Sequence, residues 1–343
     1  MRHFLNTLFV LTEDNYLTLD GENIVILNGE ETKGRFPLHT IECILYFGYK
    51  GASPALMGAC AERSISLSFL KPSGRFLARV CGKIRGNVLL RKKQYRISES
   101  ETQSCQIAKS FIMGKIYNGR WILERATRDH AMRVDAEKLK KTSGDLAATL
   151  AMVDKCTDLD VLRGIEGKAA QEYFDVFDEL ILHNKEHFYF HKRLRRPPLD
   201  NVNALLSFAY TLLANDCAGA LECVGLDSYV GFLHRDRPGR ESLALDLMEE
   251  LRGVISERFV ISLINGRTML PKYFLQKENG AVFLNEDGRK MFLAAWQKKK
   301  QETITHPFLK EKIPWGLVPY VQALLLARFL RGDMDAYPPF FWK

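Results

Sequence analysis

The sequence lacks the short motifs that mark several large classes of enzyme. It contains no GxSxG elbow, no Walker phosphate loop and no GxGxxG fingerprint, which carry a covalent nucleophile or a bound nucleotide in the enzymes that use them. It also offers no Ser or Cys nucleophile with a base at a familiar spacing. Covalent catalysis through an enzyme side chain is therefore disfavoured, and the attacking group would be water or a substrate hydroxyl.

The cysteines and the hydropathy pattern disfavour disulfide-bonded, secreted and membrane-spanning proteins. The seven cysteines are odd in number and form no CxxC pair, so they predict small buried residues in a reducing compartment rather than a disulfide framework or a zinc knuckle. No long apolar run follows the first residues, as a secretion signal would require. The most apolar stretch, 204–214, is too short to span a bilayer and is followed by Asn215 and Asp216. We expect a cytoplasmic protein that does not bind membranes.

Acidic residues are outnumbered by basic ones. The chain has 49 Lys and Arg against 41 Asp and Glu, a formal net charge of +8, and its pI is near 9.0. This balance favours a polyanionic partner such as nucleic acid, although many basic proteins bind none. The hydrophobic fraction of 46% is ordinary for a globular protein and sufficient for a core.

The hydrophobic pattern changes near residues 95–103. Before this point, short apolar runs surround turn signals such as Asp20-Gly21, which is typical of β-hairpins, and one helix is predicted to begin at Ser53-Pro54. After it, the pattern predicts helices of about 10 to 25 residues with short breaks. The sequence therefore predicts an α+β protein with a small β-rich domain at 1–95 and a larger all-helical domain at 96–343.

The segment Gly231–Glu250 concentrates residues that carry chemistry. It places His234 on a loop that leads into a helix whose apolar residues cover more than half of the circumference, so this helix is predicted to be mostly buried. Asp246, Glu249 and Glu250 share the remaining polar arc, and buried carboxylates need a partner such as a metal ion. Helix geometry does not decide between Glu249 and Glu250, because both lie within about 60° of Asp246.

A second acidic helix carries Glu166. A capping box at Thr157–Asp160 marks its start, and Gly164 and Gly167 weaken it, which predicts close approach by a neighbouring helix or by a substrate backbone. One imidazole and several carboxylates suit Mn²⁺ or Mg²⁺ better than a closed zinc site. On a basic protein, such a site suggests metal-assisted chemistry on nucleic-acid phosphates.

Each of these residues also has an ordinary structural interpretation, in which it bonds only to the protein. The ordinary partners would be backbone groups for His234, Arg240 or Arg252 for Asp246 and Glu249, and Lys168 or Arg163 for Glu166. The residues alone leave both interpretations open.

The strongest basic run follows three histidines spaced four residues apart. His183, His187 and His191 have a spacing that can bind zinc on a helix, but we interpret them as one polar face of a basic helix. That helix would lead into the run at 192–196, the best candidate for contacts with a DNA backbone. The predicted DNA contacts are Lys192, Arg193, Arg195 and Arg196, together with Arg240 and Ser242, which offer phosphate donors beside the acidic helix.

Several stretches occur in the order found in one known family. They are Gly164–Phe174, Pro198–Tyr210, Gly225–His234 and Gly239–Arg252, together with Phe36–Ile44 and the turn at Gly74–Arg79 near the start. These stretches resemble the CRISPR-associated integrase, the universal metal-dependent endonuclease of spacer acquisition. The resemblance covers nearly the whole chain and is most specific over 160–254.

The resemblance implies that Glu166, His234 and Glu249 ligate Mn²⁺ or Mg²⁺, with Asp246 at a further acidic position of the catalytic site. It selects Glu249 over Glu250, although many relatives carry Asp where this chain has Glu249. The implied reaction, part of antiviral defence, is attack by the 3′-hydroxyl of a short double-stranded DNA fragment on a phosphodiester at the CRISPR repeat boundary. With water as nucleophile, the same site would act as an endonuclease.

The resemblance also implies an assembly. The family is homodimeric through its β domains and joins a small ferredoxin-like CRISPR-associated partner protein. Two alternatives to the integrase function are a metal-dependent nuclease without strand transfer and a non-catalytic DNA-binding scaffold whose acids are structural. The aromatic C-terminus, Tyr337–Lys343, either covers a domain edge or docks on a partner.

Overall fold

The structure, a computed structural model, describes residues 7–63, 65–71, 76–82 and 88–343. Contacts divide the chain into two compact units. One combines the N-terminal part up to residue 85 with residues 284–302, and the other combines residues 86–283 with 303–343. A β-rich start followed by a larger helical part agrees with the predicted fold class. The division differs from the predicted boundary at 95 and 96, because it lies earlier and returns a later segment to the first unit.

The described part of the first unit forms two sheets. Its strands are β1 (Thr7–Val10), β2 (Asn15–Asp20), β3 (Asn23–Asn28), β4 (Glu31–Pro37), β5 (Cys43–Phe47), β6 (Ser66–Leu70) and β7 (Phe76–Arg79). In the order β1-β5-β6-β7, the first three strands are parallel and β7 is antiparallel. β2, β3 and β4 form an antiparallel meander. The predicted Asp20-Gly21 turn is confirmed, since Asp20 pairs with Asn23 and Gly21 has a φ of 57°, which glycine adopts without strain.

The predicted early helix is also confirmed. Helix α1 (Pro54–Glu62) begins with proline at its first position, and the Ser53 side chain accepts a hydrogen bond from the backbone N–H of Leu56 at 3.2 Å. Leu56 and Cys60 of this helix are buried in the core with residues of β1, β2, β3, β5 and β6. Residues 74 and 75 of the turn that resembles the family lie outside the described residues.

Helices dominate the second unit. The helices after α1 are α2 (Val88–Ser98), α3 (Glu101–His130), α4 (Ala136–Lys155), α5 (Leu159–Asp175), α6 (Asn201–Cys223), α7 (Ser242–Leu251), α8 (Arg258–Asn265), α9 (Glu286–Gln301) and α10 (Val318–Arg331). All except α9 belong to the second unit. Helix α3 contacts α4, α5 and α7, and a π-helical turn at Arg252–Glu257 joins α7 to α8.

The expectation of an all-helical second part is wrong in detail. Short strands occur as two pairs, β8 (Phe274–Gln276) with β9 (Val282–Leu284) and β10 (Thr303–Thr305) with β11 (Lys312–Pro314). Strands of three residues are too short to show an alternating hydrophobic pattern, so no periodic signal in the sequence predicted them.

The predicted basic helix through the three histidines is also wrong. From residue 181 to 200 the structure has turns and bends but no helix, so the spacing of four does not place these side chains on one face. His183 lies 3.4 Å from the guanidinium groups of both Arg133 and Arg267. Burial, Arg133 and Arg267 lower the pKa of His183, and two neighbouring cations disfavour a zinc ion at this position.

Helix α6 is longer than the sequence suggested. It continues through Asn215 and Asp216 to 23 residues, and with a mean hydropathy of 1.3 it is long and apolar enough to cross a membrane by length and composition. In this structure 72% of that apolar window is buried inside the protein, as in the core helix of a globular fold.

The aromatic C-terminal tail is folded onto the helices. Glu250 of α7 accepts hydrogen bonds from the Tyr337 hydroxyl and, at 2.7 Å, from the backbone N–H of Phe340. Asn118 of α3 donates to the Phe340 carbonyl and accepts from the backbone N–H of Trp342, both at 2.8 Å. Burial raises the pKa of Glu250 to about 7, against the lowering effect of its hydrogen bonds. The tail therefore covers an edge of the helical unit, one of the two alternatives predicted for it.

We expect Phe340→Ala to destabilise the protein strongly. Its side chain is 0% exposed, and removing a buried phenyl ring costs about 3 to 5 kcal/mol of unfolding free energy. The neighbouring Phe341 is 37% exposed, so Phe341→Ala is the matched control and has a smaller effect. Urea denaturation measures both. Equal stability of the two variants would show that the tail does not contribute to the core.

Candidate functional site

Asp246 is fully buried on α7 and is bonded by the loop that contains His234. Its Oδ2 accepts hydrogen bonds from the backbone N–H groups of Phe232 at 2.6 Å and Leu233 at 2.9 Å. Its Oδ1 accepts from the backbone N–H of His234 at 3.0 Å and lies 2.6 Å from His234 Nδ1. Four donors compensate the burial of this carboxylate without a metal ion, so the expected need for a metal partner does not apply to Asp246.

Glycine at position 231 makes this arrangement possible. A Cβ at Gly231 would stand 2.9 Å from Asp246 Oδ2 and 2.8 Å from Ser242 Cβ, which is closer than real Cβ atoms approach their neighbours. Because a carboxylate oxygen only accepts hydrogen bonds, the 2.6 Å contact assigns the proton of the imidazole to Nδ1. In the neutral ring, Nε2 of His234 then keeps its lone pair for a metal ion or a proton.

Lys115 of α3 brings Glu166 and Glu249 together. Its Nζ lies 2.6 Å from Glu249 Oε2 and also forms an ion pair with Glu166 Oε1. The ordinary partners predicted for Glu166 are engaged elsewhere, since Lys168 lies 3.7 Å from Glu172 and Arg163 pairs with Asp160. Two carboxylates from helices α5 and α7 thus converge on a single cationic nitrogen.

Glu249 has a second cation beside it. Arg252 Nη1 donates to both carboxylate oxygens, at 3.2 and 3.3 Å, so one of the ordinary partners predicted for Glu249 is present. Burial alone would raise the pKa of Glu249, but the charges of Lys115, Arg252 and, more weakly, His234 hold it well below its usual range. Glu249 is therefore ionised at neutral pH.

The donor chemistry of this group fits a hard divalent cation. Among the residues that the structure describes, no three His, Cys, Asp or Glu side chains already stand close enough together to hold a metal ion. Glu166 and Glu249 nevertheless share one cation, the ammonium of Lys115, and carboxylate oxygens that converge on a cation are ligands of the kind that hard divalent ions prefer. With His234 Nε2 on the adjoining loop, these are the residues that could hold Mn²⁺ or Mg²⁺.

The helix that carries Glu166 differs from its prediction in two respects. Its N-cap is Asp158, whose side chain accepts from the backbone N–H of Val161 at 2.8 Å, one residue beyond the predicted start of the capping box. A Cβ at Gly164 or Gly167 would meet no described atom within 4 Å, so the expected close approach of a neighbouring helix is wrong. Both glycines face open space on either side of Glu166, and approach by a substrate backbone stays a prediction.

Two of the residues predicted to contact DNA, Arg193 and Ser242, direct their side chains into the protein interior. Arg193 donates to Asn203 Oδ1 at 2.7 Å, and burial lowers its pKa to about 10. Ser242 is fully buried, and its hydroxyl donates to the Arg235 carbonyl at 3.3 Å. Because these groups are committed to internal hydrogen bonds, neither is placed to contact DNA in this structure.

The other basic residues predicted to contact DNA are at least partly exposed to solvent. Lys192, Arg195 and Arg196 are exposed. Burial, then the charge of Arg237, lowers the pKa of Arg240, which is only partly exposed in the loop after His234. Exposed basic residues of this kind are typical of a phosphate-binding surface.

Sequence reasoning missed Lys115. It is the one charged residue in the apolar run Phe111–Ile116, and a lone charge on an otherwise apolar helix segment needs a buried partner of opposite sign. That signal indicates that an acid lies nearby, but not which acid, because Glu166 and Glu249 come from distant parts of the chain.

Comparison with known proteins identifies one family. Residues 8–298 match the family described as CRISPR associated protein Cas1. The chain is 48% identical, over 343 residues and 100% of both chains, to CRISPR-associated endonuclease Cas1 1 of Chlorobaculum tepidum.

Two solved structures have the same fold. A casposase bound to integration product aligns with a TM-score of 0.84 at 24% identity, over 99% of this chain and 95% of that chain. A chain of a Cas6-RT-Cas1–Cas2 complex aligns with a TM-score of 0.81 at 24% identity, over 98% of this chain and 36% of that chain. At these identities the likeness shows the fold alone.

We expect Asp246→Asn to lower stability, because an amide NH₂ group would face hydrogen-bond donors in place of a carboxylate oxygen. A buried mismatch of this kind costs about 1 to 3 kcal/mol of unfolding free energy. Asp236 is exposed on the same loop, so Asp236→Asn is the control and should leave stability unchanged. If urea denaturation gave the two variants equal midpoints, the four-donor arrangement around Asp246 would be refuted.

Proposed function

The chain belongs to the Cas1 family of CRISPR-associated proteins, and from this premise we propose that it is a metal-dependent DNA endonuclease and integrase of CRISPR adaptation. It would join the 3′-hydroxyl ends of short DNA fragments to the CRISPR repeat. The observation that carries the proposal is the convergence of Glu166 and Glu249 on one cation, together with a His234 imidazole that Asp246 orients through Nδ1. The Chlorobaculum relative is an endonuclease and the structural relative is a casposase bound to integration product, and these two proteins support the two proposed activities.

The protein's own residues would prepare the site for phosphoryl transfer. Glu166, Glu249 and His234 would hold the ion, and Asp246 would fix the orientation and tautomer of His234. Mn²⁺ or Mg²⁺, when bound, would supply a Lewis acid for the scissile phosphate and the leaving oxygen. The substrate 3′-hydroxyl oxygen would form the new P–O bond while the bond to the leaving oxygen of the repeat strand breaks, and water in the same position would give hydrolysis.

The basic surface beside the site supports DNA as the substrate. Arg240 precedes α7, and Lys192, Arg195 and Arg196 are exposed in the run at 192–196. These side chains would neutralise backbone phosphates and position the duplex without reading its sequence.

The proposed assembly follows the family resemblance. We propose a cytoplasmic homodimer formed through the β-rich unit, which joins a small ferredoxin-like CRISPR-associated protein. The Cas6-RT-Cas1–Cas2 complex, in which one chain shares this fold, supports a Cas partner of this kind.

A strand-transfer assay tests the proposal. The protein, its small partner, a duplex with 3′-hydroxyl ends and a repeat-containing plasmid are incubated with Mn²⁺ or Mg²⁺, and joined DNA is measured. We expect Glu166→Gln and His234→Ala each to abolish joining, since each removes a ligand. Asp175→Asn, an exposed position on the same helix as Glu166, is the control and should retain full activity.

The same assay separates the alternatives. Plasmid cleavage without joining would support a nuclease that lacks strand transfer. DNA binding that survives both substitutions, with no covalent change under any condition, would instead support a scaffold, and the ion pairs that already neutralise Glu166 and Glu249 would then be purely structural.

The open space beside Glu166 gives a second test. Gly164→Ala and Gly167→Ala should each stabilise the protein by about 0.5 to 1 kcal/mol, as alanine does for glycine in a helix interior, yet weaken DNA binding if the backbone approaches there. Gly144 of α4 is equally exposed and a Cβ there would also meet no described atom within 4 Å. Gly144→Ala should therefore raise stability alone. Unchanged DNA affinity in all three variants would exclude this path for the substrate.

A further inference from the structure

The ammonium of Lys115 occupies a defined position between two acids. Its side chain is 14% exposed, that of Glu166 25% and that of Glu249 7%, so the group is largely removed from solvent. At this depth Coulomb interactions are screened much less than on the surface. The ion pairs therefore differ from a mobile surface pair and hold the two carboxylates at one point.

That point is also where the proposed metal ion would have to bind. A divalent cation that bonds to Glu166 and Glu249 needs the same carboxylate oxygens that Lys115 contacts. An ammonium and a divalent ion cannot both remain there. Two positive charges a few ångströms apart repel each other strongly where little solvent screens them.

We propose that Lys115 is a resident counter-ion, which holds Glu166 and Glu249 together until a divalent metal takes its position and its ammonium withdraws. The inference rests on the proposed function, because it assumes a metal site at these residues. Lys115 is then a positioning residue that acts through the two ligands and sets how tightly the metal binds.

The surroundings allow the ammonium to move. Lys115 lines a cleft together with Tyr173, Arg252 and Glu257, and a lysine head group on four methylene carbons can reorient without moving its helix. Arg252 is held differently, since its guanidinium is bonded to Glu249 and Glu257 and lies over the Tyr210 ring at 4.3 Å. Lys115 is therefore the cation that can exchange.

A purely structural role of Lys115 and a competing role predict opposite effects of its removal on metal binding. If Lys115 only organised the carboxylates, its removal would disorder two ligands and weaken metal binding. If it competes for their oxygens, removal of its charge strengthens metal binding, and the two carboxylates repel each other until the metal arrives.

Calorimetric titration with Mn²⁺ alone distinguishes these cases. We expect Lys115→Met, which keeps the length of the side chain and removes its charge, to bind Mn²⁺ about tenfold more tightly than the unaltered chain. Lys109→Met, on the same helix but bonded to the Asp154 carbonyl, is the matched control and should bind Mn²⁺ as the unaltered chain does. Glu166→Gln should bind it more weakly.

Thermal unfolding supplies an independent readout. Lys115→Met should melt below the unaltered chain without metal, because Glu249 loses a buried counter-charge, and should gain more in melting temperature on addition of Mn²⁺. Lys115→Gln is the second variant if the methionine variant does not fold, and the same results are expected of it.

The outcomes separate the inference from the proposed function. Equal or weaker Mn²⁺ binding by both Lys115 variants, with binding that depends on Glu166, would overturn the counter-ion role and leave the metal site standing. Mn²⁺ binding by a Lys115 variant alone would support the counter-ion role in its strongest form. If neither the unaltered chain nor the variants bound Mn²⁺, the metal site and the counter-ion would both be refuted.

Discussion

Burial of three carboxylates within two turns of α7 is the constraint on which the second unit depends. Asp246, Glu249 and Glu250 are all buried, and charged groups in such surroundings require compensation. Each receives it from a different part of the chain: backbone N–H groups of the His234 loop, cations on α3 and the π-helical turn, and the aromatic tail. The same requirement thereby joins the loop, the long helix and the C-terminus to one short helix.

These different partners decide what each acid can do. Asp246 could take a metal only by giving up hydrogen bonds within the loop, and the raised pKa of Glu250, about 7, together with its bonds to the tail, makes it a structural group. Glu249 alone of the three is neutralised by side-chain cations, one of them a flexible lysine. A charge partner of this kind can be exchanged for another cation, whereas a backbone amide cannot move away without unfolding its loop.

Local signals predicted local structure well. The Asp20-Gly21 turn and the proline-started helix α1 follow from residues adjacent in sequence, and the acidic arc of α7 follows from helical periodicity. The choice between Glu249 and Glu250 could not be made in this way, because their partners lie far away in the sequence. Glu249 pairs with Lys115 of α3, and Glu250 accepts a hydrogen bond from Phe340, 90 residues after it. The family resemblance chose Glu249 as a metal ligand, and that role stays a prediction, whereas the structure shows that Glu249 is paired with cations and Glu250 with the tail.

The π-helical turn carries Arg252, a cation that is held in a fixed position beside Glu249. Arg252 begins this turn and bonds to Glu249 three residues before it and to Glu257 five residues after it, so its guanidinium is held from both sides. Arginine remains charged at any ordinary pH and its planar donors are fixed by several partners at once, whereas a lysine ammonium is a point charge on a flexible chain. If Lys115 leaves for a metal ion, Arg252 would still donate to both oxygens of Glu249, so the carboxylate would keep its orientation while Oε2 exchanges Lys115 for the ion. A π-helical turn is rare and is often found at functional sites, and here it would keep the Glu249 carboxylate in place during the proposed exchange.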